Sequence, residues 1–264
     1  FAAYLQSAAP GMEEKLTQGE IREKAERLEG KLKAQLPACL EEIYGRADGA
    51  KIPRSLALLL FFPEISKRAD GCTTAVIQRE NGKFLFCHNE DDEHYTTENV
   101  ALVKYQYGDF WITGYTVATK LVGSSFAWNS AGMVFSSNYI YDTKIQLENI
   151  SRYVAVRGVM NAKSLEEAVR KLREAKVASA FSLNILDLNE NRAVNIEKDT
   201  GEIYLTPICG RYARANHFIA KTEDLPEPPV SSAFRCAKAN ELIAQVDRKT
   251  ASISDLQSIL MYET

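Results

Sequence analysis

The chain has 264 residues, 45% of them hydrophobic and 25% charged, and a net charge of -3. This composition is typical of a globular protein with enough apolar material for one large core. The slightly acidic charge gives no electrostatic reason to expect a nucleic-acid or anionic membrane partner. No apolar run approaches the roughly 18 residues of a membrane-spanning helix, so we predict no membrane span.

The cysteines predict neither a disulfide scaffold nor a structural zinc site. Their number is odd, they form no CxxC motif, and none has ligand-type spacing to a histidine. At least one free thiol is therefore expected among Cys39, Cys72, Cys87, Cys209 and Cys236. The chain begins at Phe1 rather than at methionine, which leaves open a cytoplasmic location or export after loss of a leader.

Helical patterns fill the first part of the chain. Residues 12–45 carry apolar side chains three or four positions apart, which predicts one amphipathic helix or two that meet near Pro37. The apolar run 55–62 predicts another helix, and residues 64–71 are expected to link it to Cys72.

The next stretch carries most of the chemistry. Thr73–Gln78 and Lys83–His88 resemble strands and flank an Asn-Gly pair, which tolerates the positive φ of a tight hairpin turn. If the two runs pair, Asn89 and Asp91 fall just past the second strand and fold back beside Cys72. A thiol, an amide and a carboxylate would then converge at one end of a sheet, where one group can attack a carbonyl.

Blocks of strands and helices follow in the remaining two thirds of the chain. Strands are predicted at 100–107, 110–117, 124–128, 133–137, 180–188, 192–196, 203–206 and 213–220. Helices are predicted at 151–160, from the Ser164 cap onward, at 233–246 and at 254–262. Strands joined by short turns give antiparallel sheets, and this order of blocks predicts an α+β fold with two sheets covered by helices.

Several motifs resemble one enzyme family. Asp-Gly-Cys-Thr-Thr-Ala at 70–75 and Asn-x-Asp at 89–91 look like the acyl-coenzyme A:isopenicillin N acyltransferase family. Further motifs that are similar to the family's are Trp-Asn-Ser-Ala-Gly at 128–132, Ser-Asn at 137–138, Ala-Ser-Ala-Phe at 178–181 and Ala-Asn-His at 215–217. The resemblance therefore covers most of the chain. Members are N-terminal nucleophile hydrolases, related to choloylglycine hydrolases and other linear amide hydrolases.

The resemblance implies a four-layer αββα sandwich and a precursor that cuts itself between Gly71 and Cys72. Residues 1–71 would form a helical prosegment, released or retained after cleavage, and residues 72–264 the catalytic domain. The chain stops at Thr264, where the family continues with strands that complete the sheet, so these strands are expected to be missing.

The resemblance also implies an activity and assigns roles. The chain would be a cysteine amidohydrolase or acyltransferase acting on a small acyl-amide or peptide-like substrate, with its own prosegment as partner and no metal or organic cofactor. Cys72 would be the nucleophile, Asp91 would orient its amine, and Asn216 would stabilise the oxyanion. Supporting or substrate-binding candidates are His88, Asn89, Asn129 and Asn138.

Some of these residues have simpler interpretations, and two positions depart from the family. Asn129 is expected mainly to serve its turn, and Glu90 is expected to be a solvated neighbour of the site. His88 stands where related bile-salt hydrolases carry an arginine, and Cys87 where a glycine is common. The departure at His88 favours the acyltransferase branch, and that at Cys87 is expected to alter the shape of the pocket. With the last strands expected to be missing as well, the substrate stays open.

Two other classes of function remain possible from the sequence. A papain-like thiol protease would use an internal Cys72 with His217 as base and would need no cleavage. An inactive relative would only bind peptide-like ligands. The oligomeric state is not predicted.

Overall fold

The computed structural model describes residues 2–15, 17–62, 64, 71–91, 99–142 and 144–262. The first two of these stretches are mainly helical, and their helices are α1 (Ala2–Lys15), α2 (Gln18–Gln35), α3 (Pro37–Ala50) and α4 (Arg54–Leu60). Most of the predicted linker, residues 65–70, lies outside the described residues.

The break predicted near Pro37 is confirmed, and the start predicted at residue 12 is wrong. Pro37 is the first residue of α3, a position where the missing amide hydrogen costs nothing. The pattern that begins at residue 12 is in fact the end of α1 followed by a new helix. Thr17 caps α2, and its side chain and that of Glu20 form a reciprocal capping box.

Ten strands are found among the described residues of the remaining chain. They are β1 (Gly71–Gln78), β2 (Phe84–Asp91), β3 (Val100–Tyr107), β4 (Phe110–Val117), β5 (Phe126–Asn129), β6 (Met133–Tyr139), β7 (Phe181–Asp187), β8 (Arg192–Lys198), β9 (Ile203–Ile208) and β10 (Arg211–Arg214). The predicted hairpins are confirmed. The strand ends differ most from the prediction at two places: β2 continues to Asp91, and β10 ends at Arg214, so residues 215–220 form a loop.

Four further helices complete the described fold. They are α5 (Arg152–Val159), α6 (Leu165–Glu174), α7 (Val230–Gln245) and α8 (Ile253–Leu260). All four correspond to predicted helices. Ser164 caps α6 as expected, because its hydroxyl accepts from the backbone N–H of Glu167 at 3.2 Å.

The strands form two antiparallel sheets packed face to face. One has three strands in the order β10-β1-β2, and the other has seven in the order β3-β4-β5-β6-β7-β8-β9. The apolar layer between them contains Val76 of β1 and Leu186, Ala193 and Ile208 of the larger sheet. The opposite face of β1 carries Ala75 and Ile77, which pack on α7 and α8 in a cluster with Ala239, Ile243, Leu256 and Ile259.

The outer face of the seven-stranded sheet packs on helices as well. Phe135, Leu183 and Ile185 share a large core with Val154 of α5 and Leu172 of α6. The layers are thus helix, sheet, sheet and helix, which confirms the predicted α+β sandwich. The N-terminal helices extend this last layer, because Leu5, Leu40 and Phe61 belong to the same core. Within the described part of the chain, no helix combines the length and apolarity needed to cross a bilayer.

Candidate active site

The pairing of β1 with β2 decides which side chains face the same way as Cys72. The register places Cys72 opposite Glu90 and Thr74 opposite His88. Side chains alternate along a strand, so these four lie on one face of the hairpin. That face points at the seven-stranded sheet, because Thr74 donates to Asn138 on β6. The candidate nucleophile therefore lies between the two sheets.

Cys72 is held at its nitrogen, its carbonyl and its sulfur. The residue is buried, with 2% of its surface exposed. Its backbone N–H donates to Asn216 Oδ1 at 2.9 Å, and its thiol donates to Glu90 Oε2 at 2.9 Å. Arg235 of α7 donates from Nη1 to the Cys72 carbonyl oxygen at 2.6 Å. Three distant parts of the chain thus fix this one residue.

Glu90 is an ionised carboxylate in a nearly dry setting. Its Oε1 accepts from Lys120 Nζ at 2.9 Å, and its Oε2 lies 3.4 Å from His88 Nε2. Burial by itself would raise the pKa of Glu90, but Lys120, His88 and the Cys72 thiol outweigh burial and lower it to about 2. The expectation that Glu90 is solvated is wrong, because β2 continues through it and turns it inward.

A polar network runs from His88 into the larger sheet. His88 Nδ1 lies 2.9 Å from Thr74 Oγ1, which donates to Asn138 Oδ1 at 2.8 Å. Asn184 Nδ2 donates to the same Asn138 oxygen at 3.0 Å. Among the described residues, the buried amide nitrogen of Asn138 has no hydrogen-bond partner. A buried donor without a partner needs an explanation, and a polar group of a substrate would supply one.

Asn89 and Asp91 lie on the opposite face of the hairpin from the Cys72 sulfur. Both belong to β2 rather than following it. Asn89 Nδ2 donates to Asp91 Oδ1 at 2.7 Å, and both line a cavity of about 140 Å³ with Arg235. The predicted meeting of their side chains with the thiol is therefore wrong, because strand alternation separates them. A role for Asp91 at the Cys72 nitrogen stays a prediction.

Asn216 lies in the loop after β10 and does meet Cys72. Its Oδ1 accepts from the Cys72 N–H and also from Arg235 Nη2 at 2.7 Å. Its Nδ2 donates to the backbone oxygen of Tyr139 at 2.8 Å. An amide nitrogen carries two hydrogens, so this bond leaves one for another acceptor. The oxyanion role of Asn216 stays a prediction.

Asn129 uses its side chain on its own turn and the neighbouring chain. Its Nδ2 donates to the carbonyl oxygens of Met160 and Ala162 at 3.0 and 2.8 Å. Its Oδ1 accepts from the N–H groups of Ala131 and Met133 at 3.0 and 3.2 Å. These four bonds use both hydrogens and both lone pairs. The interpretation of Asn129 as a turn residue therefore fits better than a substrate contact.

His217, the base of the papain-like alternative, contacts Ser232 rather than Cys72. Its Nδ1 lies 2.8 Å from Ser232 Oγ, which also accepts from the backbone N–H of Asn216. Burial lowers the pKa of His217, with a further contribution from nearby Arg214. Among the described contacts, the histidine that shares a partner with Cys72 is His88, through Glu90.

Cys72, His88 and Glu90 offer ligand atoms within 4.8 Å of one another. A thiolate, an imidazole and a carboxylate are ligands that suit zinc. However, both oxygens of Glu90 already have a partner, because the Cys72 thiol donates to Oε2 and Lys120 Nζ donates to Oε1, each at 2.9 Å. We assign no metal to these residues.

Comparison with known proteins identifies the family. The family model described as "Acyl-coenzyme A:6-aminopenicillanic acid acyl-transferase" matches residues 77–263, more than two thirds of the chain. The chain belongs to this family. The resemblance seen in the motifs is thereby confirmed. The match starts just after Cys72, so the assignment depends on the body of the sandwich rather than on the candidate nucleophile.

Individual proteins that match this acyltransferase-family chain share only a low sequence identity with it. The Beta-alanyl-dopamine/carcinine hydrolase of Drosophila melanogaster is 26% identical over 194 residues, which are 64% of this chain and 50% of that protein. The chain thus spans half the length of this curated relative. A crystal structure of a variant of conjugated bile acid hydrolase from Clostridium perfringens has a TM-score of 0.48 and 12% identity, over 72% of this chain and 78% of that chain.

For three residues of the site, the sequence did not predict the contacts that the structure shows. Extending the alternation of β2 by three residues would have turned Glu90 toward Cys72, so a local signal for it existed. Lys120 and Arg235 reach the site from a loop and a helix far along the chain, and neither belongs to a motif. Only the three-dimensional structure reveals them.

Proposed function

We propose that the chain is an autoprocessing cysteine amidohydrolase or acyltransferase of the N-terminal nucleophile type, cut between Gly71 and Cys72. The observation that carries the proposal is a pair of hydrogen bonds made by Cys72, from its backbone nitrogen to Asn216 and from its sulfur to Glu90. A residue that serves as both nucleophile and base needs its sulfur and its nitrogen held in defined positions. A cysteine that only packs in the core needs no hydrogen bond at either atom. Membership of the acyltransferase family supports the same conclusion.

In the proposed maturation, the Cys72 sulfur attacks the carbonyl carbon of Gly71. The peptide C–N bond breaks, the thiol proton goes to the departing nitrogen, and a thioester replaces the peptide bond. Water then adds to the thioester carbon and releases the Gly71 carboxylate and the Cys72 thiol. One water is consumed, and Cys72 gains a free α-amine.

The new amine is the proposed base for turnover. Its reference pKa is about 7.7 to 8.0 and that of a thiol about 8.5, so it can accept the thiol proton near neutral pH. Asn216 already holds this nitrogen at 2.9 Å, so cleavage would create the base in place. The remaining hydrogen of Asn216 Nδ2 is the proposed donor to the oxyanion. Losing one such donor typically lowers the rate by about a hundred- to a thousandfold.

The proposed substrate is an amide whose acyl group carries a positively charged amine. Lys120 binds Oε1 of ionised Glu90, whereas Oε2 accepts the thiol proton at 2.9 Å. Oε2 can therefore bind an ammonium a few bonds from the reacting carbonyl once the thiol has given up that proton. The Drosophila relative is named for a beta-alanyl substrate, whose acyl group has its amine two carbons from the carbonyl. A long apolar acyl chain would instead desolvate the Glu90–Lys120 pair without a compensating contact.

Water is the acyl acceptor that we propose. Acyl transfer to an amine requires water to be kept from the thioester. The sequence carries no feature that indicates such exclusion of water.

The test compares hydrolysis of a β-alanyl amide and a hexanoyl amide of the same amine. Wild type and the exposed-thiol control Cys209→Ala should cleave the β-alanyl amide, and Cys72→Ala should be inactive. One charge contact is expected to favour the β-alanyl amide by about tenfold in kcat/KM, and Glu90→Gln should remove that preference. Activity in Cys72→Ala would contradict the proposal.

Two other outcomes point to the alternative classes of function. Acylation of Cys72 in an uncut chain, together with loss of activity in His217→Ala, would indicate an internal-cysteine protease. Ligand binding without turnover or thiol labelling would indicate a relative that only binds.

A further inference from the structure

The loop that carries Asn216 is held by two fully buried charged residues. Arg214 ends β10, Glu197 lies on β8, and neither side chain is exposed to solvent. Arg214 Nη1 donates to Glu197 Oε1 at 3.1 Å. Because β10 belongs to the three-stranded sheet and β8 to the seven-stranded one, this ion pair crosses the interior of the sandwich.

Arg214 also binds the backbone on both sides of Asn216. Its Nε donates to the carbonyl oxygen of Ala215 at 3.3 Å, and its Nη2 donates to that of His217 at 2.8 Å. A guanidinium presents five donors in one rigid plane. One side chain can therefore fix both neighbours of Asn216 relative to Glu197.

Glu197 binds the next part of the same loop. Its carboxylate accepts from the backbone N–H groups of Ile219, Ala220 and Lys221 at 2.6, 2.9 and 3.1 Å. With Arg214, it thus places five hydrogen bonds on the backbone between residues 215 and 221. Arg214 Nη1 also donates to the side chain of Asn195 on β8 at 3.1 Å, but most of the pair's hydrogen bonds are to the loop.

The stability of the fold is not a sufficient reason for this arrangement. Buried ion pairs are often no more stable than apolar residues of similar volume. The pair instead fixes the conformation of the loop, and in this conformation Asn216 Oδ1 lies 2.9 Å from the Cys72 nitrogen. We propose that Arg214 and Glu197 are positioning residues that set Asn216 for self-cleavage and turnover. This inference depends on the function proposed above for Cys72 and Asn216.

Arg214→Lys tests the proposal because it keeps the charge and removes the rigid fork. A single ammonium cannot hold Glu197 and the carbonyl groups of Ala215 and His217 at the same angles. A displacement of about 1 Å can lower a rate by about a hundredfold, so we expect that loss in the self-cleavage rate, followed by intact mass. In cleaved enzyme the loss should fall on kcat, with KM within about threefold of wild type, because Arg214 would not touch the substrate.

Arg157→Lys is the matched control. Arg157 of α5 is 2% exposed and pairs with buried Glu42 at 2.9 Å, and none of its described contacts is with the loop 215–221. The melting temperature of Arg157→Lys should fall by about as much as that of Arg214→Lys. Its self-cleavage rate and kcat should stay within about threefold of wild type. In addition, Glu197→Gln keeps an acceptor oxygen and should retain more of the rate than Glu197→Ala.

The outcomes separate the two proposals. If Arg214→Lys folds and loses no more rate than Arg157→Lys, the positioning role is overturned and the proposed function stands. A loss confined to KM would overturn it as well. If the wild type neither cleaves itself nor hydrolyses amides, the proposed function fails, and the positioning role fails with it.

Discussion

At the scale of single residues, alternation along β2 determines the chemistry of the site. Successive residues 88 to 91 point to opposite faces, so Glu90 reaches the Cys72 sulfur while Asp91 approaches Gly71 from the other side. The carboxylate at the sulfur is that of Glu90, and the role predicted for Asp91 at the Cys72 nitrogen stays a prediction. Both carboxylates give testable predictions.

Gly71→Ala should slow self-cleavage by about a hundredfold, the effect expected from misplacing the reacting bond by about 1 Å. A Cβ at Gly71 would lie 2.9 Å from Asp91 Oδ2 and 3.0 Å from Asp91 Cβ, too close for either to remain in place. Gly45→Ala is the control, because a Cβ there meets nothing within 4 Å. Intact mass against time measures both rates. Cleavage of Gly71→Ala at the wild-type rate would contradict the assigned position of the bond.

Glu90 should stabilise the fold at neutral pH and lose this effect in acid. Its folded pKa of about 2 lies below its ordinary value of 4.5, so the stabilisation is fully present above pH 4.5 and disappears as the pH falls toward 2. The difference in unfolding free energy between wild type and Glu90→Gln should therefore be constant from about pH 5 to 8 and shrink below about pH 4.5. Denaturant titrations measure it, with exposed Glu23→Gln as control. A difference that grows in acid would disprove the ionised state.

At the scale of elements, the hairpins follow from local sequence, whereas the site does not. Turn residues and alternating strands are short-range signals, and they predicted β1 to β8 within a few residues. The end of β2 was missed because a run of polar residues looks like a loop until an opposite strand and sheet bury it. Lys120 and Arg235 gave no signal at all, since their positions depend on packing between distant elements.

Helix α7 contributes Arg235, which should matter for self-cleavage. Its Nη1 donates to the Cys72 carbonyl at 2.6 Å and to Thr73 Oγ1 at 2.8 Å, and its Nη2 donates to Asn216. Arg235→Lys cannot make these bonds together, and we expect self-cleavage to slow by at least about tenfold. Arg248→Lys is the control, because Arg248 holds the far end of β1 through the Gln78 carbonyl. Equal rates for the two variants would contradict the role of Arg235.

At the scale of the whole molecule, the N-terminal helices are integrated into the sandwich. Glu42 of α3 pairs with Arg157 of α5 at 2.9 Å, and Glu64 accepts from the backbone N–H of Arg152 at 3.0 Å. Arg46 donates to the Lys120 carbonyl at 2.9 Å, in the loop that supplies the ammonium to Glu90. The predicted boundary at Gly71 therefore separates two chain segments that share one core.

The two fragments should remain together after cleavage. Their contacts are apolar or buried, and buried charge pairs are screened little by salt. We expect fragments 1–71 and 72–264 to elute together at high salt and to separate only in denaturant. Gly158→Ala should weaken this association, because a Cβ there would lie 2.6 Å from Leu36 Cδ2. Separation of the wild-type fragments in plain buffer would contradict the shared core.

Self-cleavage at Cys72 is tested most directly by the intact mass of the purified chain beside its Cys72→Ala variant, with N-terminal sequencing of any fragments. We expect wild type to yield a fragment beginning Cys-Thr-Thr while the variant remains whole. If wild type also remains whole under every condition tried, the N-terminal nucleophile mechanism is contradicted.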